Sequence, residues 1–200
     1  MTGMFIAVEG PNGVGKTTVA GLLAAQLAHH TRVHAHLTTE PSHTPLGRFL
    51  RDAEATLHGR ALALALAADR YTHIDEEIIP ELDAGHHVVC DRYVQSSLVL
   101  QRVDAVEIGE IWAYNRYVLP PAASIYLEDA PDTIGTRLAG RTRLSRLEAT
   151  GSPQRELQLY REARRFLGRQ DWYQQTIDCR GLSPEQVVTR ILTCLPEGRD

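Results

Sequence analysis

Lysine is almost absent from this chain. It occurs once, at position 16, and apart from histidine every other basic residue is arginine. Cysteine is scarce as well: Cys90, Cys179 and Cys194 are odd in number, far apart and form no C-x-x-C pair. That usage argues against a disulfide framework or a zinc site and fits a reduced, cytoplasmic setting. Net charge is small, −4 at pH 7, so nothing draws the chain as a whole to a nucleic-acid polymer, and any affinity for polyphosphate has to arise locally. No apolar run approaches the length of a membrane span. The first strand-like segment begins within a few residues of Met1, which predicts no signal peptide. The nine histidines are scattered; the pairs His29-His30 and His86-His87 fall where a helix ends and a strand begins, and are expected on solvated surface rather than on a metal. With 200 residues the chain can bury the core of one α/β domain but not comfortably of two, so residues 1–200 are expected to form a single domain.

What is present is concentrated near the N-terminus. Gly10-Pro11-Asn12-Gly13-Val14-Gly15-Lys16-Thr17-Thr18 fits the pattern G-x-x-x-x-G-K-[ST] and follows the apolar run Met4-Phe5-Ile6-Ala7-Val8. Strand, glycine-rich turn and helix thus fall where a phosphate-binding loop requires them. Glycines let the backbone curl so that successive N–H groups point inward at phosphate oxygens, and the helix opening near Lys16 adds its positive end. Gly10, Asn12, Gly13, Val14, Gly15, Lys16, Thr17 and Thr18 are the expected cradle. Lys16 would reach the β and γ phosphates and the Thr17 hydroxyl a Mg²⁺ ion. The bias against lysine is broken at the one place where a compact ammonium must fit among phosphates without the bulk of a guanidinium fork. The same scarcity excludes a GTPase that reads guanine through N-K-x-D.

Along the chain, residues 19–28 are rich in alanine and leucine and read as helix, ended by His29-His30-Thr31. Residues 33–39 alternate apolar with polar and read as a second strand. Glu40 to Pro45 is a loop, because two prolines so close cannot sit in a regular element, and Thr44-Pro45 caps a short helix to about Glu54. Residues 61–68 alternate like a strand, but their alanine content decides for a long helix from about Gly59 to Leu82, with Pro80 kinking it or marking its last turn. His87 to Asp91 is a short buried strand. Helices near 94–102 and 105–117 precede a strand at 124–128, and Pro131 opens a helix to about Gly140. An arginine-rich turn spans 141–148 and a linker 149–153. A charged helix to about Arg169, a strand at 175–179 and a helix capped by Ser183-Pro184 complete the chain.

Strands alternating with helices predict an α/β fold: a five-stranded parallel sheet with helices on both faces and ligands at the strands' carboxyl ends. The segments 10–17, 40–43 and 91–92 all follow strands and should converge there. Asp91 ends an apolar strand, where a carboxylate can help hold Mg²⁺ directly or through water. Arg92 beside it can clamp phosphate oxygens bidentately.

These residues, taken together, resemble the thymidylate kinase family, a group of P-loop NTPase-fold nucleoside-monophosphate kinases, from about Met4 to Leu195. The resemblance is carried by Phe5-Ile6-Ala7-Val8-Glu9-Gly10, by Glu40-Pro41 with Thr44-Pro45-Leu46-Gly47, and by Ala68-Asp69-Arg70. It continues through Asp91-Arg92-Tyr93-Val94-Gln95-Ser96-Ser97 and through Arg141 to Glu148, which resembles the family's short arginine-rich lid, here about 141–152. It implies ATP as donor with Mg²⁺ held by Thr17 and Asp91, dTMP as acceptor, and a cytoplasmic homodimer with no membrane or nucleic-acid partner. By the same resemblance Arg92 meets the acceptor phosphate, Arg70 the base, and Glu40, Leu66, Ser96 and Gln101 the rest of the acceptor. Lys16, Asp91, Arg92, Arg143 and Arg146 would serve transfer, the last two from the lid over the ATP phosphates.

The chain departs from the family pattern on the acceptor side. Asn12 stands where an acidic residue is usual, Leu66 where an aromatic stacks on the base, and Leu100 where another aromatic precedes Gln101. Thr39 and Ser42-His43 replace an arginine and two glycines around Glu40, and the stretch after Gln101 is shortened to Arg102-Val103-Asp104. Three readings follow: a kinase converting dTMP to dTDP, a related kinase for another or modified nucleotide in a specialised pathway, and a nucleotide-binding switch without transfer.

Overall fold

The computed structural model describes residues 3–142 and 144–196, with the side chains of residues 147 and 148 also outside the description. In chain order the elements are β1 (Phe5–Glu9), α1 (Lys16–Thr31), β2 (Ala35–Thr39), α2 (Pro45–Ala53), α3 (Gly59–His73), a π-helical turn (Ile74–Ile78), α4 (Ile79–Asp83) and β3 (His87–Asp91). Then come α5 (Val94–Leu100), α6 (Ile108–Asn115), β4 (Ala123–Glu128), α7 (Pro131–Ala139), α8 (Arg146–Thr150), α9 (Pro153–Leu167), a 3₁₀ turn (Gly168–Gln170), β5 (Gln174–Asp178) and α10 (Pro184–Thr193).

The five strands are parallel, in the order β2-β3-β1-β4-β5. Position in the sheet explains their sequences. The three inner strands are covered on both faces, mostly apolar and buried at nearly every residue, whereas β2 and β5 lie at the edges and stay half exposed. Successive side chains of β1 point to opposite faces. Ile6 and Val8 enter a core built with α1 and α10; Phe5 and Ala7 enter another built with α5, α6 and α9. The register sets Val8 beside Asp91, Thr39 beside Asp91 and Glu9 beside Tyr126. The ends of four strands therefore meet at one edge, as the alternation of strands and helices requires.

Two expectations need correction. The helix from Gly59 is not α-helical throughout. Ile79 donates its N–H to Ile74 O, five residues back; Pro80 has no N–H and its ring crowds the preceding turn, so the ladder is reset one residue wider just before it. Within the lid, Arg146–Thr150 forms α8 where a turn and linker were expected, consistent with the helix-favouring Arg-Leu-Glu-Ala run and the absence of glycine or proline inside it. The Thr44 hydroxyl accepts Gly47 N–H at 3.1 Å and caps α2 as expected, a contribution of about 1 kcal/mol.

Candidate active site

The loop between β1 and α1 is held open by residues that tolerate its backbone. Gly10 (φ 143°) and Gly13 (φ 83°) lie in the region side chains avoid, and a Cβ at Gly10 would come within 2.5 Å of Leu127 O. Lys16 turns back under the loop. Its Nζ donates to Gly10 O at 2.8 Å and Pro11 O at 2.9 Å. Burial, and then the charge of Arg92, push the Lys16 ammonium down to about 7. Thr17 and Thr18 lie exposed in the first turn of α1.

At the end of β3, Asp91 Oδ2 accepts the Thr17 hydroxyl at 2.5 Å, while Asp91 Oδ1 is buried without a hydrogen-bond partner among the described residues. Two hard oxygen donors, one of them with unused lone pairs, suit Mg²⁺ better than a soft-ligand metal. Arg92 follows with a left-handed backbone (φ 76°), its N–H on Val8 O at 3.0 Å. Its Nη2 donates to Asn12 Oδ1 at 2.6 Å.

Glu9, one residue before the loop, is fully buried. It accepts from Tyr93 N (2.6 Å), Ser96 Oγ (2.8 Å) and Tyr160 Oη (3.3 Å), tying β1 to the first turn of α5 and to α9. Desolvation is the largest influence on its carboxyl and raises it to about 7, against those hydrogen bonds and the nearby Arg92 and Lys16 charges. Asp69 does similar service for the loop after β2: it accepts from Ser42 N (2.7 Å), Ser42 Oγ (2.6 Å) and Thr44 Oγ1 (3.0 Å).

Beside the phosphate loop lies an open pocket with a cavity volume of about 230 Å³. Asn12, Glu40, Leu66, Arg70, Arg92, Ser96 and Gln101 all line it, so the six residues expected at the acceptor are brought together from α3, from α5 and the residue after it, and from the loops after β2 and β3. Arg70 is buried against Glu40 (2.7 Å), Asn115 and Ser97 (3.0 Å). Gln101 is buried with an Oε1 that meets no donor among the described residues. Leu50, Leu62, Leu66 and Leu100 supply the apolar wall.

The lid differs from expectation. Arg146 is not aimed at the phosphate loop: it forms a two-pronged pair with Asp104 (2.7 and 2.8 Å), and its Nε donates to Glu54 O at 3.0 Å. The departure is electrostatic, since the shortened stretch after Gln101 ends in a carboxylate that meets the guanidinium first. Arg143 lies outside the described residues. Besides Arg92, Arg137 of α7 reaches the loop; it donates to Val14 O at 3.2 Å and pairs with Asp129 at 3.0 Å. Nothing in its spacing marked it. Glu156, also missed, is buried on α9 and accepts from Asn12 N at 2.7 Å and Asn12 Nδ2 at 3.3 Å. A lone acidic residue in a charged helix carries no periodic signal that it points inward.

A thymidylate kinase family model matches residues 8–191. Thymidylate kinase of Lacticaseibacillus casei is 41% identical over 145 residues, covering 68% of this chain and 67% of the relative. The probable thymidylate kinase of Caldivirga maquilingensis is 35% identical over 149 residues and 72% of each chain. Among solved structures, thymidylate kinases from Candida albicans (TM-score 0.74, 20% identity, 96% of this chain and 90% of that one) and Ehrlichia chaffeensis (TM-score 0.74, 21% identity, 98% and 100%) share the P-loop NTPase fold. With a family model spanning nearly its whole length behind it, and a phosphate loop, a strand-end carboxylate and an open pocket at one sheet edge, the chain belongs to the thymidylate kinase family, the nucleoside-monophosphate kinases that use ATP as donor.

Proposed function

We propose that this chain transfers the γ-phosphoryl group of ATP to dTMP, with the phosphate loop as donor cradle and the pocket lined by Arg92, Arg70, Leu66 and Gln101 as acceptor site. The observation that carries the reading is the position of Arg92. It lines the acceptor pocket and is bonded to Asn12 of the donor loop, so one guanidinium can hold the incoming phosphate next to the phosphate it attacks. An acceptor phosphate oxygen, its second pKa near roughly 6, is already ionised at neutral pH. It attacks the γ-phosphorus, the bond to the β–γ bridging oxygen breaks, and ADP leaves with that electron pair. No protein base is needed. Charge spread over the equatorial oxygens is met by Lys16, by Arg92 and by the loop's N–H groups.

Thr17 and Asp91 would hold Mg²⁺, which when bound neutralises charge on the β and γ phosphates; the unpartnered Asp91 Oδ1 supports this. Gln101 Oε1 can accept an imide N–H, a group that thymine offers and cytosine lacks at the same ring position. The homodimer and the cytoplasmic setting rest on the family alone. ADP release measured across nucleoside monophosphates tests the reading: rapid turnover with dTMP supports it, turnover confined to another monophosphate moves the acceptor, and turnover stimulated by none would mean a nucleotide-binding switch.

A further inference from the structure

The histidines cluster in a way their scatter in sequence hides. His34 and His36 stand two residues apart at the start of the edge strand β2, so they share a face. Glu77 and Glu81 stand four apart where the π-helical turn passes into α4, and His86 precedes β3. Folding brings all five together, away from the phosphate loop. His34, His36 and Glu81 each present a ligand atom, and these three atoms lie within 4.8 Å of one another. His36 Nδ1 is 3.9 Å from Glu81 Oε1, while its other nitrogen, Nε2, is 2.8 Å from Glu77 Oε1. A carboxylate on the far nitrogen fixes the tautomer, leaves Nδ1 unprotonated and facing the cluster, and makes it a stronger donor; this is the arrangement that metal-bound histidines use. Glu81 is aimed similarly, with His86 Nδ1 at 2.7 Å from Oε2 while Oε1 faces His36. The His86 ring packs edge-on against His34, with centroids 4.8 Å apart.

We propose that His34, His36 and Glu81 bind a divalent transition-metal ion of the zinc type, with Glu77 and His86 as the outer partners that orient the ligands. Two imidazoles and one carboxylate suit Zn²⁺, Ni²⁺ or Cu²⁺ and disfavour Mg²⁺ and Ca²⁺, which prefer all-oxygen sets. Three protein ligands leave one position for water. Metal–ligand bonds of about 2.0–2.1 Å require the three atoms to draw together from their present spacing. Partly exposed side chains at an edge strand and a helix end can do so without moving the core. The π turn bears on the site because it sets the position of Glu77, whose Oε2 lies 3.5 Å from the buried His73. The site does not depend on which nucleotide the pocket accepts.

The test is titration of the full chain with Co²⁺ alone and then Zn²⁺ alone, in excess Mg²⁺ to occupy oxygen-ligand sites. The expected result is one equivalent of Co²⁺ giving intense visible bands of a four- or five-coordinate nitrogen-containing site, abolished by Zn²⁺. His36→Gln and Glu81→Gln should lose the bands, and so should His34→Gln, an exposed change that leaves the fold alone. Glu77→Gln should keep the bands and weaken Zn²⁺ binding by roughly 10- to 100-fold. Absence of any such bands from the unmodified chain, or the same Zn²⁺ affinity in His34→Gln, His36→Gln and Glu81→Gln as in the unmodified chain, would overturn the proposal.

Discussion

Glu156 of α9 holds both nitrogens of Asn12: its Oε2 accepts the backbone N–H at 2.7 Å and its Oε1 the side-chain amide at 3.3 Å. That grip turns Asn12 Oδ1 toward Arg92 Nη2, 2.6 Å away. Where relatives usually carry an acid in the loop, this chain carries an amide there and places the acid behind it. Swapping the chemistry should reproduce that logic. Asn12→Asp sets a carboxylate oxygen against a carboxylate in a buried site and is expected to cost about 1–3 kcal/mol of stability, as an unsatisfied buried acceptor does. Glu156→Gln alone misorients one of the two bonds and should cost about 0.5–1.5 kcal/mol. Together they restore a donor facing an acceptor, so the double variant should be more stable than the sum of the singles by about 1 kcal/mol or more. Additive losses in urea unfolding would mean that the two side chains do not act as a pair.

Glu9 and Lys16 predict the pH dependence of the ligand-free protein. The carboxyl of Glu9 is raised from 4.5 to about 7, so between those values the folded state binds more protons than the unfolded chain. Stability from this group is complete below pH 4.5 and is lost as pH rises through about 7. Lys16 is lowered from 10.5 to about 7; in that window the unfolded chain holds the extra proton, so stability rises with pH toward 10.5. The two slopes meet in a minimum near neutrality. Glu9→Gln should flatten the acid limb and Lys16→Met the alkaline limb of a denaturation series from pH 5 to 10. If either variant leaves its limb unchanged, the corresponding burial is not felt in solution.

The lid can be tested through Arg146 and Asp104, a two-pronged pair with side chains only 21% and 10% exposed. If the guanidinium serves as a latch, removing either partner should have the same effect: about 1 kcal/mol, or roughly a fivefold rise in KM for ATP. Arg146→Ala, Asp104→Ala and the double variant should then be nearly equivalent. A far larger kcat loss for Arg146→Ala alone would show that this arginine leaves Asp104 to meet the transferring phosphate.

Most of the scaffold was legible in the residues because its signals are local. The phosphate loop needs its glycines at fixed offsets, the inner strands need unbroken apolar runs, and Thr44-Pro45 caps a helix through its own neighbours. Even the convergence of Lys16, Asp91 and Glu40 follows from strand order. What escaped was set by tertiary partners. The resemblance puts Arg146 in a lid over phosphates but gives no sign of its pairing with Asp104, 42 residues earlier. Glu156 sits in a helix whose charges otherwise face solvent, and only the docking of α9 against the loop shows that this one points inward. His87, expected on the surface, is buried and accepts Met4 N–H at 3.1 Å, whereas its neighbour His86 joins His34, more than fifty residues before it.

The apolar wall of the pocket offers the sharpest check on the acceptor. Leu66 sits among Leu50, Leu62 and Leu100, with no aromatic ring besides Tyr93 lining the pocket among the described residues, and Tyr93 is fully buried, its hydroxyl bonded to Leu119 O at 2.9 Å. A base entering this pocket is therefore met by branched aliphatic carbons. Leu66→Phe would replace them with a ring able to stack, worth about 0.5–1.5 kcal/mol beyond area burial, and Leu66 is only partly buried, so the larger side chain has an open side to grow into. The variant should bind dTMP roughly 2- to 12-fold more tightly by calorimetry, the conversion of that energy at room temperature, while its affinity for ATP stays unchanged. Weaker dTMP binding with ATP affinity intact would show that Leu66 borders the sugar or the lid, and that the base lies elsewhere in the pocket.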